Sequence, residues 1–273
     1  MPKLNTQARS LILFSVMLLA GSLLTTSCST PQSTSTAAAT STTTTTAATT
    51  AAIPTPTPEL GPPSEDHPAV ALTFDDGPSL LDTGTLLDLL AAENVKVTFF
   101  VLGGQIDAGR KDLLKREFAE GHEIGNHTYE HLTLKKADAK AVRDELSKAS
   151  DLIEQVIGQK PTLMRPPTGA FDDTTKAVCL ELGLSIVNWS WQSCPEDWNH
   201  RGEPDLIANY VIENAANGHI ILLHDTNSTT VEAMPKIIKG LKERGFRFMT
   251  VSELLAYQGD GAPAPGEFYA ELK

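Results

Sequence analysis

"ALTFDDGPSL", residues 71–80, closes an apolar run with two adjacent carboxylates and then a Gly-Pro turn. A run of this length, bounded by a turn signal, predicts a strand over Ala69–Asp75. Asp75 and Asp76 then stand where that strand stops. Adjacent like charges repel, so keeping both asks for two different tasks or for a cation beside them.

Outward from this stretch, apolar runs alternate with helical patterns as far as Tyr257. The further strand candidates are Lys96–Leu102, Glu123–Asn126, Thr162–Arg165, Leu184–Trp191, His219–His224 and Phe246–Thr250. The clearest helix carries Val142, Leu146, Ala149, Ile153 and Val156 on one face and stops at Gly158. Such repeated alternation predicts an α/β fold, a parallel sheet covered by helices and either open or closed into a barrel. In both, the loops at the C-terminal ends of the strands carry the chemistry.

The chain has 273 residues, 41% of them hydrophobic, ample for one sizeable core. A net charge of -12 and the absence of a basic stripe argue against a nucleic-acid partner. Lys3 and Arg9 precede an apolar stretch, Leu11–Leu24, too short for a permanent span. Residues 1–28 thus read as a secretory signal. Cys28, after Thr-Thr-Ser, resembles the lipidated cysteine of a bacterial lipoprotein, with an ordinary cleaved signal as the alternative. Residues 29–66, nearly all Thr, Ala, Ser and Pro, predict a disordered tether. The domain is expected over 67–257, with 258–273 as a short tail.

Five of the seven strand ends deliver ionisable or metal-binding side chains. Asp75 and Asp76 follow the first, "NHTYEH" with His127 and His131 the third, and "RPPTG" with Arg165 the fourth. "CPEDW" with Asp197 and Trp198 follows the fifth, and "LLHD" ends the sixth at His224 and Asp225. His127 and His131 are four apart, so in a helical turn both imidazoles face one way and can grip one ion. One carboxylate added to them makes a His2Asp site with an open position. One aspartate of the pair then serves as ligand while its neighbour takes a proton from water.

In that order the motifs resemble the polysaccharide deacetylases of the NodB-homology type, carbohydrate esterase family 4, over residues 69 to 256. The resemblance implies a distorted (β/α)7 barrel that removes acetyl groups from N- or O-acetylated sugars with one divalent metal ion, zinc being expected and cobalt or another transition metal the alternative. It assigns Asp75 as general base and Asp76, His127 and His131 as metal ligands. It gives Arg165 the task of holding Asp75 charged, His224 that of general acid, and Asp197 that of supporting the imidazolium. Trp198 and Leu223 would shape an acetyl-methyl pocket, and the Thr168 N–H would help bind the oxyanion. The substrate expected is an N-acetylated glycan, peptidoglycan or chitin-like, at the surface of a bacterial cell. O-acetylated xylan and a silent glycan-binding module are the alternatives. A monomer, held to the membrane only by its lipid anchor, is expected.

Two positions depart from the family pattern. Cys194 stands where the fourth motif begins with Asp, and Thr168 where the third carries an aromatic residue. Cys194 and Cys179 read as two free thiols, with Cys194 a further candidate contact for the metal. Trp189 and Trp191, alternating on the fifth strand, read as barrel packing.

Overall fold

The computed structural model describes residues 61–258 and 261–273. The expected signal (1–28) and most of the expected tether (29–66) lie outside the described residues. Among those described, no helix is long and apolar enough to cross a membrane.

The strands are β1 (Ala69–Asp75), β2 (Thr98–Val101), β3 (Glu123–Asn126), β4 (Leu163–Met164), β5 (Ser185–Val187), β6 (His219–His224), β7 (Arg247–Phe248) and β8 (Phe268–Tyr269). All pair in parallel, in the order β6-β1-β2-β3-β4-β5-β8, with β7 beside the start of β1. The helices are α1 (Thr83–Glu93), α2 (Gly103–Gln105), α3 (Lys111–Ala119), α4 (Ala139–Ile157), α5 (Asp173–Leu182), α6 (Pro204–Asn214), α7 (Ser228–Glu243) and α8 (Val251–Leu255). The result is the curled, distorted (β/α)7-type barrel that the motifs implied. α4 follows its pattern: Asp138 caps the Ala141 N–H, Gly158 ends the helix at φ +76°, and Val142, Leu146, Ala149 and Ile153 are buried.

Side-chain alternation along β1 divides the interior into a floor and a rim. Val70, Leu72 and Phe74 point outward into the large core beneath the helices. Ala69 and Ala71 join a second cluster with Leu163, Val187, Ile220 and Leu254, which plugs the bottom of the barrel. The same inward series continues as Thr73 and Asp75, so one face of one strand passes from apolar floor to polar rim. β6 runs in register, with Asp75 opposite His224.

The expected tail departs most from the sequence reading. β8 pairs with β5, and beyond it the Leu272 N–H donates to Gly218 O while Glu271 bridges to His219. Residues 268–272 therefore fill the gap between β5 and the start of β6. Past the end of β5, the Ser190 N–H donates to Ile220 O on β6. The domain expected to end at Tyr257 thus includes this last stave. Its two paired residues were too few to show a period.

Candidate active site

Asp75 is buried, 3% exposed, and its Oδ1 accepts from Arg165 Nη1 at 2.8 Å. Arg165 is fully buried, so every donor must find a partner. Nη1 also donates to Thr73 Oγ1, Nε to Val187 O and Nη2 to Asn188 O, and the guanidinium lies 4.1 Å from the Phe100 ring centre. A buried charge held on this many sides fixes the position of the carboxylate it pairs with.

His127 Nδ1 lies 2.8 Å from Arg165 O, an atom that can only accept, so Nδ1 carries the proton and donates. In the neutral ring Nε2 is then the lone pair. It faces Asp76 Oδ1 at 3.4 Å and Asp75 Oδ2 at 3.7 Å, while His131 Nε2 reaches the same Asp76 Oδ1 at 3.4 Å. The helical turn expected for His127–His131 is absent. Thr128 and His131 hold φ of +70° and +62°, and the loop amides are taken by side chains instead. Asn126 Oδ1 accepts from Thr128 N–H, and Glu145 Oε2 from the Tyr129 and Glu130 N–H groups.

Across the rim, His224 Nδ1 is 2.7 Å from Asp197 Oδ1, and Asp197 Oδ2 accepts from His224 N–H and Thr230 Oγ1. Burial alone would lower the His224 pKa. The hydrogen bond and charge of Asp197, with the charges of Asp75 and Asp76, outweigh it and raise the value to about 9. Asp76 moves the other way: burial would raise its pKa, but His127 beside it, with His224 and His131, lowers it to about 2.

Asp75, Asp76, His127, His131 and His224 share a cavity of about 450 Å³, lined also by Thr168, Trp189, Trp191, Trp198, Arg201 and Leu222. Trp198 stands edge-on to the His224 ring at 5.5 Å. The assignment of Leu223 to this cavity is corrected. Leu223 is fully buried in the outer core, and Leu222 lines the cavity, two residues before His224 on the same face of β6. Cys194 is also not a metal contact. It packs with Trp189 and Leu222, burial raises its thiol pKa to about 11, and both it and Cys179 are free. Trp189 is barrel packing as expected, 8% exposed, but Trp191 leaves the strand in a 3-10 turn and is 72% exposed. Arg201, Leu222 and Trp191 went unnoticed as cavity residues, although alternation back from His224 would have found Leu222.

Asp76, His127 and His131 each present one ligand atom, all within 4.8 Å of one another. Asp76 Oδ1 is buried and has no hydrogen-bond partner. Three acceptors thus converge with no donor between them, and Asp76 and His131 both hold left-handed backbone to bring this about. The cluster fits a divalent cation with two imidazoles and one carboxylate.

A polysaccharide deacetylase family model matches residues 63–187. A peptidoglycan-N-acetylglucosamine deacetylase of Bacillus cereus is 39% identical over 192 residues, covering 69% of this chain and 89% of that protein. The chain belongs to the polysaccharide deacetylase family. It is accordingly a hydrolase. The match to a Listeria monocytogenes enzyme of the same name is also 39% over 197 residues, 72% of this chain but only 41% of that longer protein. Among solved structures, a family 4 acetyl xylan esterase of Clostridium thermocellum, in complex with a cobalt ion, superposes with TM-score 0.68 at 31% identity. It covers 75% of this chain and 98% of that one.

Beneath the site, Asp225 is fully buried and accepts from Thr83 Oγ1. Burial raises its pKa to about 7 against the Thr83 hydrogen bond and the His224 charge, with Asp76 adding to the rise. A methyl built on Gly77 would overlap the Asp225 carboxylate. Gly77→Ala is therefore expected to displace the Asp75-Asp76 turn and cut kcat/KM by about 10²-fold, the scale of a small misplacement of reacting groups. Undiminished activity in this variant would show that the turn yields without consequence.

Proposed function

We propose that this family member is a metal-dependent deacetylase of N-acetylated glycan, with peptidoglycan as substrate, working outside the cell on an N-terminal lipid anchor. The observation that carries the reading is the placement of a buried carboxylate and a charged imidazole on either side of one ligand cluster. Asp75 Oδ2 lies 3.7 Å from His127 Nε2, and His224 Nε2 lies 3.9 Å from Asp76 Oδ2.

Asp76, His127 and His131 would hold the ion, with zinc as the native metal. Bound there, a divalent cation supplies Lewis-acid polarisation of the acetyl carbonyl and makes water more acidic. Asp75, positioned by Arg165, takes the proton of the attacking water through Oδ2. The Thr168 N–H, on the cavity wall, stabilises the oxyanion of the tetrahedral adduct. His224, with Nδ1–H given to Asp197, donates the Nε2 proton to the departing nitrogen. An amide nitrogen leaves poorly without that proton, and an imidazolium favoured up to about pH 9 suits this demand. Trp198 and Leu222 enclose the acetyl methyl.

Peptidoglycan is favoured over neutral polymers by the relatives from Bacillus cereus and Listeria and by Arg201. That side chain lines the cavity, and no ion pair to it is found among the described residues. An anionic substituent on the glycan would meet it. Lys3, Arg9, the apolar Leu11–Leu24 and Cys28 support export and lipid anchoring.

The test is acetate release from peptidoglycan, chitin oligomers and acetylated xylan. Activity on the N-acetylated polymers is expected to vanish on chelation and return with zinc or cobalt. Release from xylan alone would make the protein an O-acetyl esterase. Activity undiminished in metal-free His127→Ala would end the metal assignment.

A further inference from the structure

Trp191 is 72% exposed, yet it is mounted firmly. Ser190 and Ser193, on either side, are buried at 2% and 0% exposure. Ser190 N–H donates to Ile220 O and Ser190 Oγ to Ala270 O, while Ser193 Oγ donates to Asn214 O. The two indoles stack, ring centroids 5.9 Å apart and planes 21° from parallel, so Trp189 backs one side of Trp191. Both line the cavity that holds Asp75 and His224. The Nε1–H of Trp189, in a residue more than nine-tenths buried, has no partner in the protein. A large apolar ring left in water forgoes the free energy that burial would bring, so a rigid mount that presents one asks for an occupant.

An indole face is flat and apolar with an electron-rich surface, and a pyranose ring offers it a flat patch of C–H bonds. Trp198, edge-on to His224, belongs with the reacting acetyl group; Trp191 packs on Trp189 instead. We propose that the Trp189–Trp191 stack is a sugar platform, on which a second pyranose ring of the same glycan rests while its neighbour reacts. The platform makes the enzyme a reader of chain length, preferring oligomers to a single N-acetylated sugar. This rests on the deacetylase reading above and adds a specificity residue to it.

The test measures kcat and KM for N-acetylglucosamine and its oligomers of two to six units, in the zinc-loaded wild type, Trp191→Ala and Trp191→Phe. In the wild type kcat/KM is expected to rise steeply between one unit and the oligomers. Trp191→Ala is expected to remove about tenfold of that rise, the scale of one ring stacked on an aromatic side chain, and to do so through KM. Trp191→Phe should restore most of it, because a smaller flat face remains. Calorimetric titration of the hexamer into Asp75→Asn, with and without Trp191→Ala, reads binding apart from turnover. Weaker binding in the double variant supports the platform. A length dependence untouched by Trp191→Ala, or a loss confined to kcat and not rescued by Phe, overturns it. A wild type that binds the hexamer but releases acetate from no glycan refutes the deacetylase reading alone.

Discussion

Asp75→Asn is expected to lower kcat by about 10² to 10⁴-fold, the usual worth of a positioned general base, while the fold and bound metal survive. Asparagine keeps the shape and an oxygen that can accept from Arg165 Nη1. The guanidinium also keeps its bonds to Thr73 Oγ1, Val187 O and Asn188 O, so it is not left unsatisfied. The amide cannot take a proton, and it also removes the charge that faces the buried guanidinium. The ligand atoms are untouched, since the converging trio is Asp76, His127 and His131. Metal content by elemental analysis and kcat by acetate release separate the two roles. Should Asp75→Asn lose the metal while Asp76→Ala keeps it, base and ligand have been exchanged.

Asp197→Asn should act on the other proton. In the proposed acid role the working form of His224 is the imidazolium, which is lost as pH rises through its pKa. Asp197 is the main group holding that value up to about 9. Removing its charge lowers the pKa, so the alkaline limb of the kcat/KM profile is expected to move toward acid by about one unit or more. A bound cation would offset the Asp76 charge and bring both limbs down, leaving the difference between variants. The substitution also disturbs the bonds that Asp197 Oδ2 accepts from His224 N–H and Thr230 Oγ1, so kcat should fall throughout the range. An alkaline limb that does not move would remove His224 from the acid role.

What the sequence disclosed followed the strength of its periodic signals. β1, β3 and β6 have the bounds their apolar runs predicted, and α4 has its predicted face and its glycine stop. The strand ends then assembled their ionisable groups on one rim, because parallel strands must all end on the same side. Contacts set by distant partners were less legible. Nothing local to "NHTYEH" says that Glu145, from α4, will take its loop amides and replace the helical turn. Trp191 left its strand because Ser190 turns to pair with Ile220, a residue 30 positions away. Leu223 was a different kind of error: the two-residue alternation that ends in an inward His224 already selects Leu222.

The order in which a chain is made adds a meaning to β8. Every other strand of the sheet precedes it, so a chain emerging from the ribosome reaches residue 258 with its ring still open between β5 and β6. Until Phe268–Leu272 arrives, two stretches of backbone there have no partners, and a strand edge of that kind invites pairing with another molecule. His224 stands on one of those two strands, and the segment carrying Asp197 hangs from the other. The bonds between them, His224 Nδ1 to Asp197 Oδ1 and His224 N–H to Asp197 Oδ2, are made inside that ring. A clipped or unfinished copy would retain Asp76, His127 and His131 and most of its core, yet keep that edge open. The segment that looks most dispensable in the linear text acts as the clasp.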